Sequence, residues 1–171
     1  MEPILNAIAY AHKSKVIHRD LKPSNILLQP EKEFYTPKVA DFGLAKAART
    51  HSISVNSNTK SGVHLGTPRY SSPEQIDDSK RASYPSDVYS LGLILYELTT
   101  GRPPFDGEGY QLMYSHCYEA PPPPSKFNKM IPNQLEELIL QCLDKNPKHR
   151  HADAGELYKA LQSTLTPNLS R

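Results

Sequence analysis

An acid, an amine and an amide stand at fixed offsets in His18-Arg19-Asp20-Leu21-Lys22-Pro23-Ser24-Asn25, and a second acid follows in Asp41-Phe42-Gly43. Asp20 is a carboxylate that can orient a hydroxyl or accept its proton. Lys22 can carry an ammonium to the oxygens of a phosphoryl group, while Asn25 offers a neutral amide oxygen to a hard cation such as Mg2+. Asp41 adds an anionic oxygen. The set suits phosphoryl transfer, which asks little covalent chemistry of the protein and depends on positioning and on neutralising charge. His, Arg, Asp, Lys and Asn at these offsets would arise by chance in fewer than roughly one in ten thousand chains of this length, so an ordinary charged surface loop is the weaker reading. Asp41-Phe42-Gly43 alone is a weak signal and takes its weight from its position.

That position depends on the elements around it. Ile26-Leu27-Leu28 and Lys38-Val39-Ala40 are short apolar runs on either side of a charged, proline-containing stretch from Gln29 to Pro37, which predicts two short strands in a hairpin. A hairpin beginning at Asn25 returns Asp41 to the end where Asp20 and Asn25 lie, around one cavity. Before the loop, Ile4, Leu5, Ile8 and Ala11 share one helical face over residues 2–13. From Lys46 to Gly66 the chain is rich in Ser, Thr and Asn with almost no periodic apolar residue, and reads as a surface loop. Val88, Leu91, Leu93, Ile94, Leu95 and Leu98 point all around a helix from Pro85 to Thr100, which is therefore expected to be central and buried, with Gly101 as its stop. Pro121 to Pro124 favour an extended linker. Asn133 with Glu136, and Asp153 with Glu156, read as capping pairs opening two further helices. The first buries Leu135, Leu138, Ile139 and Leu143, and the second Leu157, Ala160 and Leu161.

A chain of 171 residues with 37% hydrophobic content is long enough for one domain with a core. Lys plus Arg (20) and Asp plus Glu (18) nearly cancel, leaving +2 without a basic block. This offers little footprint for nucleic acid, so small or protein ligands are expected. No run approaches the length of a membrane span. Cys117 and Cys142 lack metal-ligand spacing and read as buried thiols in helices, as expected for a reducing, cytoplasmic setting; a membrane anchor elsewhere in a longer parent stays open. The remaining histidines show no paired metal spacing, and a solvated or core role is expected for them.

With these motifs in place, the chain resembles the large C-terminal lobe of a eukaryotic-type Ser/Thr protein kinase, in a style similar to bacterial members. The further residues that carry the resemblance are Gly66-Thr67-Pro68-Arg69-Tyr70-Ser71-Ser72-Pro73-Glu74, with Ser72 where the family usually has Ala, then Asp87 and Gly92 in a D-x-x-x-x-G pattern, and Arg150 after Asn146-Pro147. The resemblance implies an α+β, mainly α fold with a short β-hairpin and no N-terminal lobe. Residues 1–165 would form a partial kinase domain with an activation loop over about 41–74, and 166–171 a tail. It implies ATP and Mg2+ as cofactors and a protein Ser or Thr hydroxyl as acceptor. Asp20, Lys22 and Thr67 are then catalytic, with Thr67 holding Asp20 and Lys22. Lys22, Asn25, Leu27 and Asp41 bind the nucleotide, Leu27 as the floor under adenine, and Asn25 and Asp41 ligate Mg2+. Arg19 would receive a phosphate from the activation loop, for which Ser54, Ser57, Thr59 and Ser61 are candidates. His18 stacked on Phe42, Glu74 paired with Arg150, and Asp87 are structural.

Nothing before His18 matches a Gly-rich loop or a strand lysine, so the expectation is a fragment whose activity alone is doubtful. The missing lobe would be supplied in cis or in trans. Its loss would expose apolar surface around Leu27, His18 and Phe42. The competing reading is a non-catalytic protein-binding module or decayed kinase, against which Asp20, Lys22, Asn25 and Asp41 stand together unaltered.

Overall fold

Ile4, Leu5, Ile8 and Ala11 form the buried stripe of helix α1 (Glu2–Lys13), which Pro3 opens from its first turn. The computed structural model describes residues 1–42 and 69–165. After α1 and the loop at 18–22, a short 3-10 turn (Pro23–Asn25) leads into strands β1 (Ile26–Pro30) and β2 (Tyr35–Val39), which pair antiparallel. The strands run further than the apolar runs alone predict, taking in Pro30 and Pro37. The register explains how. Ala40 N–H donates to Asn25 O and Glu31 N–H to Phe34 O, so the alternating ladder makes Leu28–Pro37 and Pro30–Tyr35 non-hydrogen-bonded pairs. A proline there removes no bond from the ladder.

Helices follow at α2 (Pro73–Asp77), α3 (Tyr84–Thr100), α4 (Gly109–Tyr118), α5 (Asn133–Cys142) and α6 (Ala154–Leu165). Helix α3 is the hub. Every residue from Ser86 to Tyr96 is buried, and the helix packs on α5 and α6, while α1 packs on α6 and β2. Gly101 caps α3 at φ 74°, a conformation that costs glycine nothing. Leu98, expected inside, is 66% exposed, because the burial all around ends one turn before the helix does. At the α3–α5 crossing a Cβ on Gly92 would lie 2.5 Å from Cys142 Cβ, so only glycine permits this approach.

The two capping pairs turned out differently. Asp153 Oδ1 accepts from Gly155 N–H (2.7 Å) and Glu156 N–H (3.0 Å), whereas Glu156 reaches back to Ala152 N–H at 2.9 Å, one residue short of the cap. Asn133 is not a cap. Pro132 holds that position, and Glu136 instead accepts from Ser125 N–H at 2.6 Å, tying the end of the proline segment to α5. That segment is extended at Pro123 but turns at Pro124, so the linker is shorter than its four prolines suggest. Both thiols are free, with Cys142 buried and Cys117 partly so.

Candidate active site

The loop at His18–Asp20 hangs from α3. Asp87, 1% exposed, accepts His18 N–H (2.8 Å) on Oδ2 and Arg19 N–H (2.9 Å) on Oδ1. His12 also reaches Oδ2, at 2.9 Å, and its other nitrogen accepts Ala154 N–H. An imidazole that accepts on Nδ1 carries its proton on Nε2, so His12 donates to Asp87. The buried carboxylate is thus hydrogen-bonded from three sides, which offsets the cost of removing it from water.

His18 obeys the same logic. Its Nε2 faces Ala40 O at 3.0 Å and donates, so Nδ1 accepts Asp20 N–H at 3.3 Å. The ring is fully buried and stacks on Phe42 with centroids 4.7 Å apart. The expected apolar opening around His18 is therefore absent, because Phe42 and the loop backbone cover it. Leu27 and Leu28 are the open part, 57% and 62% exposed on the hairpin. Leu21, 1% exposed, pins the loop into the core directly after Asp20.

Around Asp20 the polar groups converge. Lys22 Nζ lies 3.0 Å from Asp20 Oδ2, both side chains partly exposed. Asn25 is buried and donates from Nδ2 to Asp20 O at 2.8 Å and, more weakly, to Asp20 Oδ2 at 3.4 Å. With the nitrogen so used, the amide presents its oxygen elsewhere. The Ala40–Asn25 bond closes the hairpin, so Asp41 leaves it at the same end as Asn25, with φ 55°, a conformation uncommon outside glycine and enriched for Asp and Asn.

Asn25 and Asp41 offer only oxygens, the donor type for a hard cation. Among the described residues no three His, Cys, Asp or Glu side chains converge as a preformed metal cage. A pair of oxygen ligands instead suits a cation such as Mg2+ that keeps waters and shares the rest of its shell with phosphates.

A second cluster fixes the start of α2. Arg150 donates to Glu74 Oε1 at 2.8 Å and Oε2 at 3.0 Å, and to the carbonyls of Asp144, Pro85 and Lys145. Its guanidinium lies 4.8 Å over the Tyr89 ring. Burial alone would raise the pKa of Glu74. The hydrogen bonds and charge of Arg150, with the Ser86 hydroxyl, outweigh burial and hold it below the ordinary carboxylate value.

The structure thus brings His18, Arg19, Asp20, Lys22, Asn25, Asp41, Phe42 and Asp87 to one place, and sets Glu74 and Arg150 against the start of α3. Leu27 stands apart on the hairpin. Thr67, Ser54, Ser57, Thr59 and Ser61 lie outside the described residues. Two residues that sequence reasoning did not single out join the site: His12, and Gln75 of α2, which donates to Arg19 O at 2.9 Å.

The sequence matches the protein kinase domain family over residues 1–163. It is 39% identical over 158 residues to the serine/threonine-protein kinase PrkC of Bacillus subtilis, covering 92% of this chain. It is 41% identical over 153 residues to the serine/threonine-protein kinase PknB of Mycobacterium tuberculosis, covering 88% of this chain. The chain spans 23% of the length of each of these relatives. It belongs to the protein kinase domain family.

Proposed function

We propose that this member of the protein kinase family takes part in transfer of the γ-phosphoryl group of ATP to a serine or threonine hydroxyl of a protein. The observation that carries the reading is the loop held by Asp87, in which Lys22 and Asn25 both contact Asp20. In this reading Asp20 orients the acceptor hydroxyl and takes its proton. Lys22 neutralises charge on the phosphoryl oxygens, and its ion pair with Asp20 keeps both groups where the reacting atoms meet. Asn25 and Asp41 would hold Mg2+, which when bound offsets the negative charge of the phosphates and of the transition state. Leu27 would lie under the adenine ring. Thr67 would steady Asp20 and Lys22, and Arg19 would receive a phosphate carried by Ser54, Ser57, Thr59 or Ser61. Glu74, Arg150 and Asp87 keep the frame.

Residues 1–165 are the proposed kinase unit and 166–171 its tail. The proposed setting is cytoplasmic, which the free thiols of Cys117 and Cys142 support. Among the described residues no helix is long and apolar enough to cross a membrane.

The test is phosphoamino acid analysis after incubation with γ-labelled ATP, Mg2+ and a mixed protein substrate. Label is expected on serine and threonine, absent from tyrosine, and abolished by a chelator. Label on tyrosine, or transfer that persists in chelator, would contradict the reading.

A further inference from the structure

The peptide that carries Asp20 is gripped at both of its polar ends. Its N–H, that of Asp20, goes to His18 Nδ1. Its carbonyl, that of Arg19, accepts from Gln75 Nε2 at 2.9 Å. The other end of the same amide, Gln75 Oε1, accepts Ser72 N–H at 3.2 Å and the Ser72 hydroxyl at 3.1 Å, which closes the start of α2. The partners leave the amide one orientation: turned over, it would set nitrogen against an N–H and oxygen against a carbonyl. Arg19 itself sits at φ 68°, a left-handed conformation that a side-chain-bearing residue keeps only when its surroundings enforce it. Asp87 enforces it at Arg19 N–H, and Gln75 at Arg19 C=O.

We propose that Gln75 is a positioning residue for Asp20: its side-chain amide ties the first turn of α2 to the Arg19 carbonyl and blocks rotation of the peptide that sets the direction of the Asp20 side chain. The proposal rests on the phosphoryl-transfer reading for its effect on rate, but not for the clamp itself. Glutamine is the residue for this task because it joins an acceptor and a donor at this reach. Glutamate keeps the acceptor that closes α2 and replaces the donor with an oxygen that repels Arg19 O. A protonated glutamate regains an O–H donor. Methionine fills the space and makes neither bond.

The experiment compares wild type, Gln75→Glu and Gln75→Met in two readouts. In amide hydrogen exchange, the Arg19 and Asp20 amides should exchange about tenfold faster in both variants, with the amides of α6 unchanged. In steady-state transfer, kcat should fall about tenfold while KM for ATP stays within about twofold. The deficit of Gln75→Glu relative to wild type should shrink as pH falls and the carboxylate takes up its proton, whereas that of Gln75→Met stays constant. Unchanged exchange at Arg19 and Asp20 overturns the proposal whatever the activity, as does wild-type kcat in both variants. If the wild-type protein transfers no phosphate, the exchange readout alone decides the clamp, and it is the phosphoryl-transfer reading that falls.

Discussion

Arg150 uses all five of its guanidinium N–H donors, two on Glu74 and one on each of three carbonyls, so one side chain joins the start of α2 to α3 and to the turn before α6. Replacing it by methionine leaves Glu74 buried without a counter-charge and should destabilise the fold by about 3–5 kcal/mol, read as a shift in the urea unfolding midpoint. A loss under about 1 kcal/mol would mean that solvent or another cation takes its place. Arg150→Lys should recover little, since a single ammonium cannot reproduce a two-pronged grip on a carboxylate plus three carbonyl bonds. At this scale the sequence was uneven as a guide. Asp20, Lys22, Asn25 and Asp41 stood out because chemistry requires those types at those spacings. The Glu74–Arg150 pair came only through resemblance. Gln75 and His12 left no mark, because their partners are 56 and 75 residues away along the chain and neither type nor spacing hints at them.

Element by element, periodicity served well where one face is buried and less well where neighbours decide. The stripe of α1 and the apolar girth of α3 could be read directly. The exposure of Leu98 could not, since it depends on where the packing helices end. In a strand proline breaks the ladder only where a backbone N–H is needed, so Pro30 and Pro37 sit in strands that local rules would have cut short. Asn133 has the right type for a cap, yet Pro132 precedes it and Glu136 is occupied by Ser125. Gly92 entered only as the glycine of the D-x-x-x-x-G resemblance, and it is the α3–α5 crossing that makes it necessary. Gly92→Ala should therefore destabilise by about 1–3 kcal/mol through overpacking against Cys142, although alanine is intrinsically the better helix former. Thermal or urea unfolding reads this directly, and a stabilised variant would show that α3 and α5 can separate without loss.

For the molecule as a whole, His116 and Glu74 both make stability fall in acid, and His151, its pKa also lowered by burial, adds to the loss. His116 is 1% exposed, and its pKa is lowered to about 4, first by burial and then by the nearby Lys145 ammonium. Between about pH 6.5 and 4 the unfolded chain binds a proton there that the folded chain refuses, so stability falls as pH falls, by on the order of 3 kcal/mol at the lower end. Glu74, also held below its ordinary value, adds a second loss that begins below about pH 4.5, as the unfolded carboxylate protonates before the folded one. Urea unfolding at pH 7, 5.5 and 4 should show this decline, and His116→Gln should flatten its first part; an equally steep profile in that variant would assign the decline elsewhere. Acid sensitivity bears on stability, whereas the proposed phosphoryl transfer rests on Asp20 and the loop that Asp87 holds. The most direct test is the rate of γ-phosphoryl transfer from ATP by Asp20→Asn against wild type at saturating Mg2+. Loss of the acceptor for the hydroxyl proton should lower kcat by at least about a hundredfold while ATP affinity stays within about twofold. Transfer by Asp20→Asn at the wild-type rate would contradict the account.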